Sequence, residues 1–385
     1  MLPDGHVGYT TNSGGRGTLD LLWSCLVTIA LCTWTIQRLQ IIPWATSKTI
    51  VFRKKAFWFL VTLLCPEYIA WIAFEQWQRA RGYRVVRELE HNDWTMQHGF
   101  YVDMGGFQIE LEGKDYSLLA ALEPNSDVLE LDDCVRFTIR LDDLISLLKA
   151  GVLATPRIYC YDLDERSKND LFAQVVTSLQ VLYFVVNCCS RLGSNLPIST
   201  LEVSTVAFAC CAAFVQYFWW YKPLDLRSTT VMALNPCQHA RFISLLPSLR
   251  FNRSEQDLAE KKRDFKLFFD RILPGGEMNG KVIHGLWIGF VFNGIHVSSW
   301  NYSFASETEQ LLWRTAGLGA CGAIALLWAA TFIRPRMAGL LLCSLSTIFY
   351  CVCRAYLLVE VFVGLRSVPG GLYQSPAWEN ALPGI

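Results

Sequence analysis

Apolar and polar positions alternate along this chain in long blocks. Seven runs are close to the roughly 20 mostly apolar residues that a transmembrane helix needs: Leu19–Ile36, Ala56–Phe74, Leu171–Cys189, Thr200–Tyr221, Val282–Trp300, Ala316–Ile333 and Met337–Val363. Two long polar insertions interrupt them, at 75–170 and 222–281. In the first, Phe107–Leu111 reads as a short strand. Asp142–Leu153 reads as an amphipathic helix, with apolar residues at 144, 145, 147, 148 and 152. In the second, Leu258, Phe265, Phe268, Phe269, Ile272 and Leu273 fall on one helical face, with Lys261, Lys262, Arg263 and Lys266 on the other. Such a helix suits a membrane interface or packing on the extramembrane module.

The fold class expected is therefore an all-α membrane protein of about seven transmembrane helices. Its two polar insertions are a small α+β extramembrane module and an amphipathic-helix loop. The chain divides into a polar N-terminus (1–18), a first transmembrane hairpin (19–74), the module (75–170), a second hairpin (171–221), the second insertion (222–281), three C-terminal helices (282–363) and a tail (364–385). The polar, Gly-rich start makes the first apolar run an uncleaved anchor.

Composition agrees with a lipid-facing surface. Of 385 residues 52% are hydrophobic and only 18% charged, against about 25% charged in soluble domains. Formal net charge is zero and there is no basic stripe, so nucleic acid is not an expected partner. Eleven of the 14 cysteines lie within apolar runs and no CxxC pair occurs. That pattern favours packing over zinc ligation, and neither metal nor cofactor is expected.

Basic residues give contradictory orientations if all seven runs cross. The loop with Arg38, Lys48, Arg53, Lys54 and Lys55 then lies opposite the group Arg79, Arg81, Arg84 and Arg87, although both call for the cytosolic side. The large insertions are expected to be cytoplasmic. Of the sequons at Asn252 and Asn301, at most one is then lumenal.

Candidate chemistry comes from ionisable groups within apolar runs, which are costly there and hence paired or functional. The site candidates are Glu67, Glu202, His296 and Arg354. Glu67 follows Pro66, whose missing N–H kinks a helix. Glu202 also fits a first-turn acid favoured by the helix dipole. Arg354 and Glu360 are about 120° apart on one helix, so each needs a partner elsewhere, and Glu67 or Glu202 suits Arg354. Gly285, Gly289 and Asn293 form a small-residue stripe for close helix approach, continued by His296 and Trp300. His296 then lines a substrate cavity or fastens the turn to Glu309 and Arg314, the latter being favoured. No lysine lies within a span, and no DDxxD, GxSxG, HExxH or P-loop pattern is present.

Several stretches resemble a large family of fungal multi-pass membrane proteins: Gly15–Cys25, Cys65-Pro66-Glu67, His98–Phe107, Asp164–Asp170, Thr200-Leu201-Glu202, and above all Gly294–Trp300 with Thr308–Arg314. The resemblance covers essentially the whole chain. Some members are associated with terpenoid or polyketide biosynthesis, which implies a cyclase role in the endoplasmic reticulum or another endomembrane. The expected function is thus a membrane enzyme cyclising or rearranging a lipophilic intermediate, of the cofactor-free pericyclase or Diels–Alderase kind. Its partners would be that substrate, membrane lipid and other biosynthetic enzymes. The alternative is a non-catalytic scaffold, sensor or transporter. Convergence of the buried acids, His296 and Arg354 on one place would favour the enzyme.

Overall fold

A computed structural model describes residues 5–11, 16–38, 47–90, 94–112, 134–153, 158–166, 171–224, 226, 228–233, 238–245, 252–253, 281–330, 333 and 336–374. In chain order its elements are β1 (His6–Val7), α1 (Thr18–Thr35), α2 (Lys48–Leu64), α3 (Pro66–Ala80), α4 (Tyr83–Glu90), α5 (Met96–Asp103), β2 (Phe107–Glu112), β3 (Cys134–Thr138), α6 (Leu141–Lys149), α7 (Cys160–Arg166), α8 (Leu171–Gly193), α9 (Thr200–Phe218), β4 (Thr230–Ala233), α10 (His239–Leu245), β5 (Asn252–Arg253), α11 (Lys281–Val297), α12 (Glu307–Ala330), α13 (Arg336–Val363) and β6 (Val368–Pro369). The amphipathic helix expected at 258–273 lies outside the described residues.

The molecule is mostly helical, with two small sheets. Among the described residues five helices are long and apolar enough to cross a membrane: α1, α8, α9, α12 and α13. Seven continuous spans are not confirmed among the described residues. The run Ala56–Phe74 is split at Cys65-Pro66 into α2 and α3, bent by 109°. Pro66 takes the first position of α3, where its missing N–H is harmless. Counted as one span, the pair brings the number to six. α11 is a shorter apolar helix, its stretch Trp287–Val297 falling below the length of a full span among the described residues.

The elbow enters and leaves at one end of the bundle. Trp58 of α2 packs against an apolar cluster that includes Cys32 and Ile36 at the end of α1. At the far end of α3, Phe74 lies edge-on to Phe218 at 5.1 Å, and Arg79 Nε donates to Asp103 at 2.7 Å. Arg38 and Lys222 meet at that same end, where Arg38 donates to the Trp219 and Lys222 carbonyls. A hydropathy count registers apolar residues without their direction, so a helix that turns back scores as a crossing. The turn removes the orientation conflict, because the basic residues flanking α2 and those following α3 share one end.

The extramembrane module occupies that end and draws on both insertions. Its sheet has the order β4-β2-β3-β5, with β2–β3 and β3–β5 antiparallel and β2–β4 parallel. Phe107 pairs with Thr230 and Thr138 with Asn252, which ties the second insertion to the first. Trp94, Tyr101, Phe107, Leu144, Leu147, Leu163 and Phe242 form its core. The turn from α5 into β2 passes through Gly105 at φ +85°, a backbone conformation that glycine adopts without a Cβ penalty.

The opposite end is closed by the chain termini. β1 pairs antiparallel with β6, and His6 Nδ1 lies 3.0 Å from Ser367 Oγ. Arg191, fully buried, donates to the carbonyls of Leu372, Gln374 and Pro197 at 2.8, 2.9 and 3.0 Å.

Candidate functional site

Breaking a helix inside an apolar bundle frees backbone groups that must find partners. At the elbow the freed carbonyl of Leu64 accepts from Arg354 Nε at 3.1 Å. The guanidinium thereby sits at the C-terminal, electronegative end of α2, and Glu67 occupies the first turn of α3, at an electropositive end. Each charge is placed where its helix end favours it.

Three further helices supply the remaining contacts. From α13, the Tyr350 hydroxyl donates to Glu67 Oε1. Among the described residues Glu67 Oε2 has no hydrogen-bond partner, although Glu67 is 7% exposed. From α11, the His296 ring lies with Nε2 3.3 Å from Arg354 Nη1 and Nδ1 3.0 Å from the Phe292 carbonyl. Arginine only donates, so Nε2 accepts and Nδ1–H donates, which makes His296 a neutral imidazole. Arg354 also lies over the Phe292 ring at 4.5 Å, and Phe292 meets Phe208 of α9 edge-on. Arg354 and Glu67 thus stand on the two sides of the same elbow, one on the last carbonyl of α2 and the other in the first turn of α3.

The small-residue stripe on α11 explains how the helices come so close. A Cβ on Gly285 would stand 2.6 Å from Trp71 of α3, and one on Gly289 would stand 3.8 Å from Glu67 Cγ. Asn293, fully buried, donates to the Gly289 carbonyl at 2.9 Å and leaves its own Oδ1 without a partner among the described residues. Two buried acceptor oxygens therefore lie on facing helices next to Gly289.

The other candidates stand elsewhere. Glu202 pairs with Arg16 at 2.6 Å and accepts from Ser199 N–H and Oγ at 2.8 and 2.9 Å. It is the N3 acid of a capping box at the start of α9, not a member of the Glu67 cluster. Glu360 accepts from Tyr356 at 3.4 Å. Glu309 pairs with Arg366, and Arg314 donates to the Trp300 carbonyl at 3.0 Å. Glu309 and Arg314 are thus held by partners other than the His296 ring. The His296 carbonyl accepts from Trp313 Nε1 at 3.3 Å and its ring lies 6.4 Å from the Trp313 ring, while Nε2 faces Arg354.

A sequence profile described as Family of unknown function (DUF8562) matches residues 3–249. The chain belongs to this family. No curated protein and no solved structure matches it. The family match includes the elbow and Glu67, whereas His296, Tyr350 and Arg354 lie beyond the matched residues. Tyr350 was not singled out in the sequence, because an aromatic residue within an apolar helix carries no local mark of its partner. No group of three or more His, Cys, Asp and Glu side chains suited to a metal occurs among the described residues.

Proposed function

We propose that this is an integral membrane enzyme that cyclises or rearranges a lipophilic secondary-metabolite intermediate, terpenoid or polyketide, at the elbow between α2 and α3. The observation that carries the reading is the convergence of Glu67, Tyr350, His296 and Arg354 on one broken helix. Irregular backbone at membrane depth is tolerated where protein or a cavity covers it, and ionisable groups there are functional candidates by default. Arg354 supplies a fixed positive charge that polarises a substrate carbonyl, and neutral His296 holds that guanidinium in place. Glu67, oriented through Oε1 by Tyr350, presents Oε2 to take up or give a proton. Surrounding rings such as Phe292 and Trp71 suit a folded apolar substrate, and holding it as a reactive conformer accelerates a pericyclic step. The resemblance to a fungal family supports an endomembrane setting, the endoplasmic reticulum or a related compartment, beside other biosynthetic enzymes.

The test is incubation of membranes carrying the wild type, Glu67→Gln or His296→Ala with candidate intermediates. Wild type should shift the product ratio relative to empty membranes, and both variants should lose most of the shift. Identical ratios in all four samples would sink the enzyme reading.

A second reading rests on the elbow itself. Helix ends turned inward within a membrane are how many transporters bind ions and charged substrates. In reconstituted vesicles, Glu67-dependent uptake without turnover would favour that reading.

A further inference from the structure

A second cluster of reactive groups lies in the module, away from the elbow. The His98 ring is buried between α5 and α7. Its Nδ1 accepts from the Thr95 backbone N–H at 3.1 Å, so Nδ1 is the unprotonated nitrogen, and Nε2–H donates to the Ile158 carbonyl at 2.9 Å. The Thr95 hydroxyl also lies 3.1 Å from Nδ1 and 3.4 Å from Cys160 Sγ, and that sulfur is itself 3.9 Å from Nδ1. Cys160, Thr95 and His98 thus form a continuous path from a thiol to the basic nitrogen of a neutral imidazole. The carbonyl of Ile158 fixes its tautomer.

Two further observations say what such a thiol would meet. Cys160 is half-buried and stands between Tyr159 and Tyr161, whose exposed rings stack at 5.2 Å. It opens α7, which ends at Arg166, shortly before α8 begins its apolar run at Phe172. An exposed aromatic pair just ahead of a membrane helix is placed as in the aromatic belts of membrane interfaces. The same end carries Arg79, Arg81, Arg84, Arg87, Lys48, Arg53, Lys54 and Lys55. Basic flanks of this kind mark the cytosolic side, where long-chain acyl-CoA is available and its phosphates are attracted.

We propose that Cys160 is a self-acylating cysteine that accepts a long-chain acyl group from acyl-CoA and anchors α7 to the bilayer surface. Cys160 Sγ attacks the thioester carbonyl carbon. A new carbon–sulfur bond forms, and the bond to the CoA sulfur breaks. The thiol proton passes through the Thr95 hydroxyl to His98 Nδ1 and then to the departing CoA thiolate, so the products are the Cys160 thioester and free CoA thiol. Cys160 is the nucleophile, His98 the general base and then acid, and Thr95 the relay between them. The acyl chain enters the membrane beside Tyr159 and Tyr161, as in other juxtamembrane acylated cysteines.

The experiment uses the purified full-length chain in lipid nanodiscs with alkyne-tagged palmitoyl-CoA. Hydroxylamine-sensitive label should map to the peptide containing Cys160 and vanish in Cys160→Ser. Thr95→Val keeps the backbone bond to His98 but removes the hydroxyl, and it should slow labelling on the order of 100-fold. Thr95→Ser restores the hydroxyl and should label like the wild type, which a merely structural role for Thr95 would not require. Absence of label on Cys160, undiminished labelling of Cys160→Ser, or equal rates for Thr95→Val and wild type would overturn the proposal.

Discussion

The Tyr350 hydroxyl tests the electrostatics of the elbow most directly. Tyr350→Phe removes one oxygen and leaves the ring packing of a residue only 5% exposed, so the apolar contribution is conserved. What is lost is the single hydrogen bond that Glu67 receives from another side chain among the described residues. A bond to a carboxylate contributes about 1.5–3 kcal/mol, against about 0.5–1.5 kcal/mol for a neutral pair. Its size therefore reports whether Glu67 is ionised beside Arg354. Unfolding in mixed detergent micelles, measured for wild type, Tyr350→Phe, Glu67→Met and the double variant, isolates the pairwise contribution. We expect a coupling of about 1.5–3 kcal/mol. Additive effects within about 0.5 kcal/mol would refute the contact and, with it, the orientation of the carboxyl group on which its proposed chemistry rests.

Three more outcomes follow from the same structure. Gly285→Ala should cost about 1–3 kcal/mol by overpacking, because its Cβ meets the Trp71 ring at 2.6 Å, whereas Gly289→Ala meets only the tip of Ile324 at 2.9 Å and should cost less; thermal melts in detergent rank the two, and equal costs would contradict the packing. Arg354→Met should lower stability by about 1–3 kcal/mol because it leaves the buried carbonyl of Leu64 without its donor; a wild-type melting curve for Arg354→Met would refute this. Burial holds His98 below its ordinary value of 6.5, so the unfolded chain binds the extra proton and the module should lose stability as pH falls below 6.5. His98→Gln should flatten that part of the profile, as followed by circular dichroism of the whole protein.

Much of the site was legible in local chemistry. Pro66 announces a break, Glu67 stands out as an acid beside it, and Gly285, Gly289 and Asn293 announce a tight helix contact. The direction of the chain after the break was not legible, because periodicity and hydropathy are the same for a helix that continues and one that turns back. Glu202 misled as a member of the site because its apolar neighbours drew attention away from Ser199, three residues before it, which makes a capping box. Tyr350 and the pairing of β2 with β4 escaped for one reason: each joins residues more than a hundred positions apart, and nothing near either partner names the other.

The clasp between the two ends of the chain bears on how the protein is made. β1 is synthesised long before its partner β6, and the buried guanidinium of Arg191 finds the carbonyls of Leu372 and Gln374 only once that segment has been made. Tyr350 and Arg354 likewise arrive after every other element of the elbow. The elbow therefore lacks its Tyr350 and Arg354 partners until α13 has been made. A chain that stops short of β6 would leave the seam open, and one that stops short of α13 would also leave Glu67 without Tyr350 and Leu64 without Arg354.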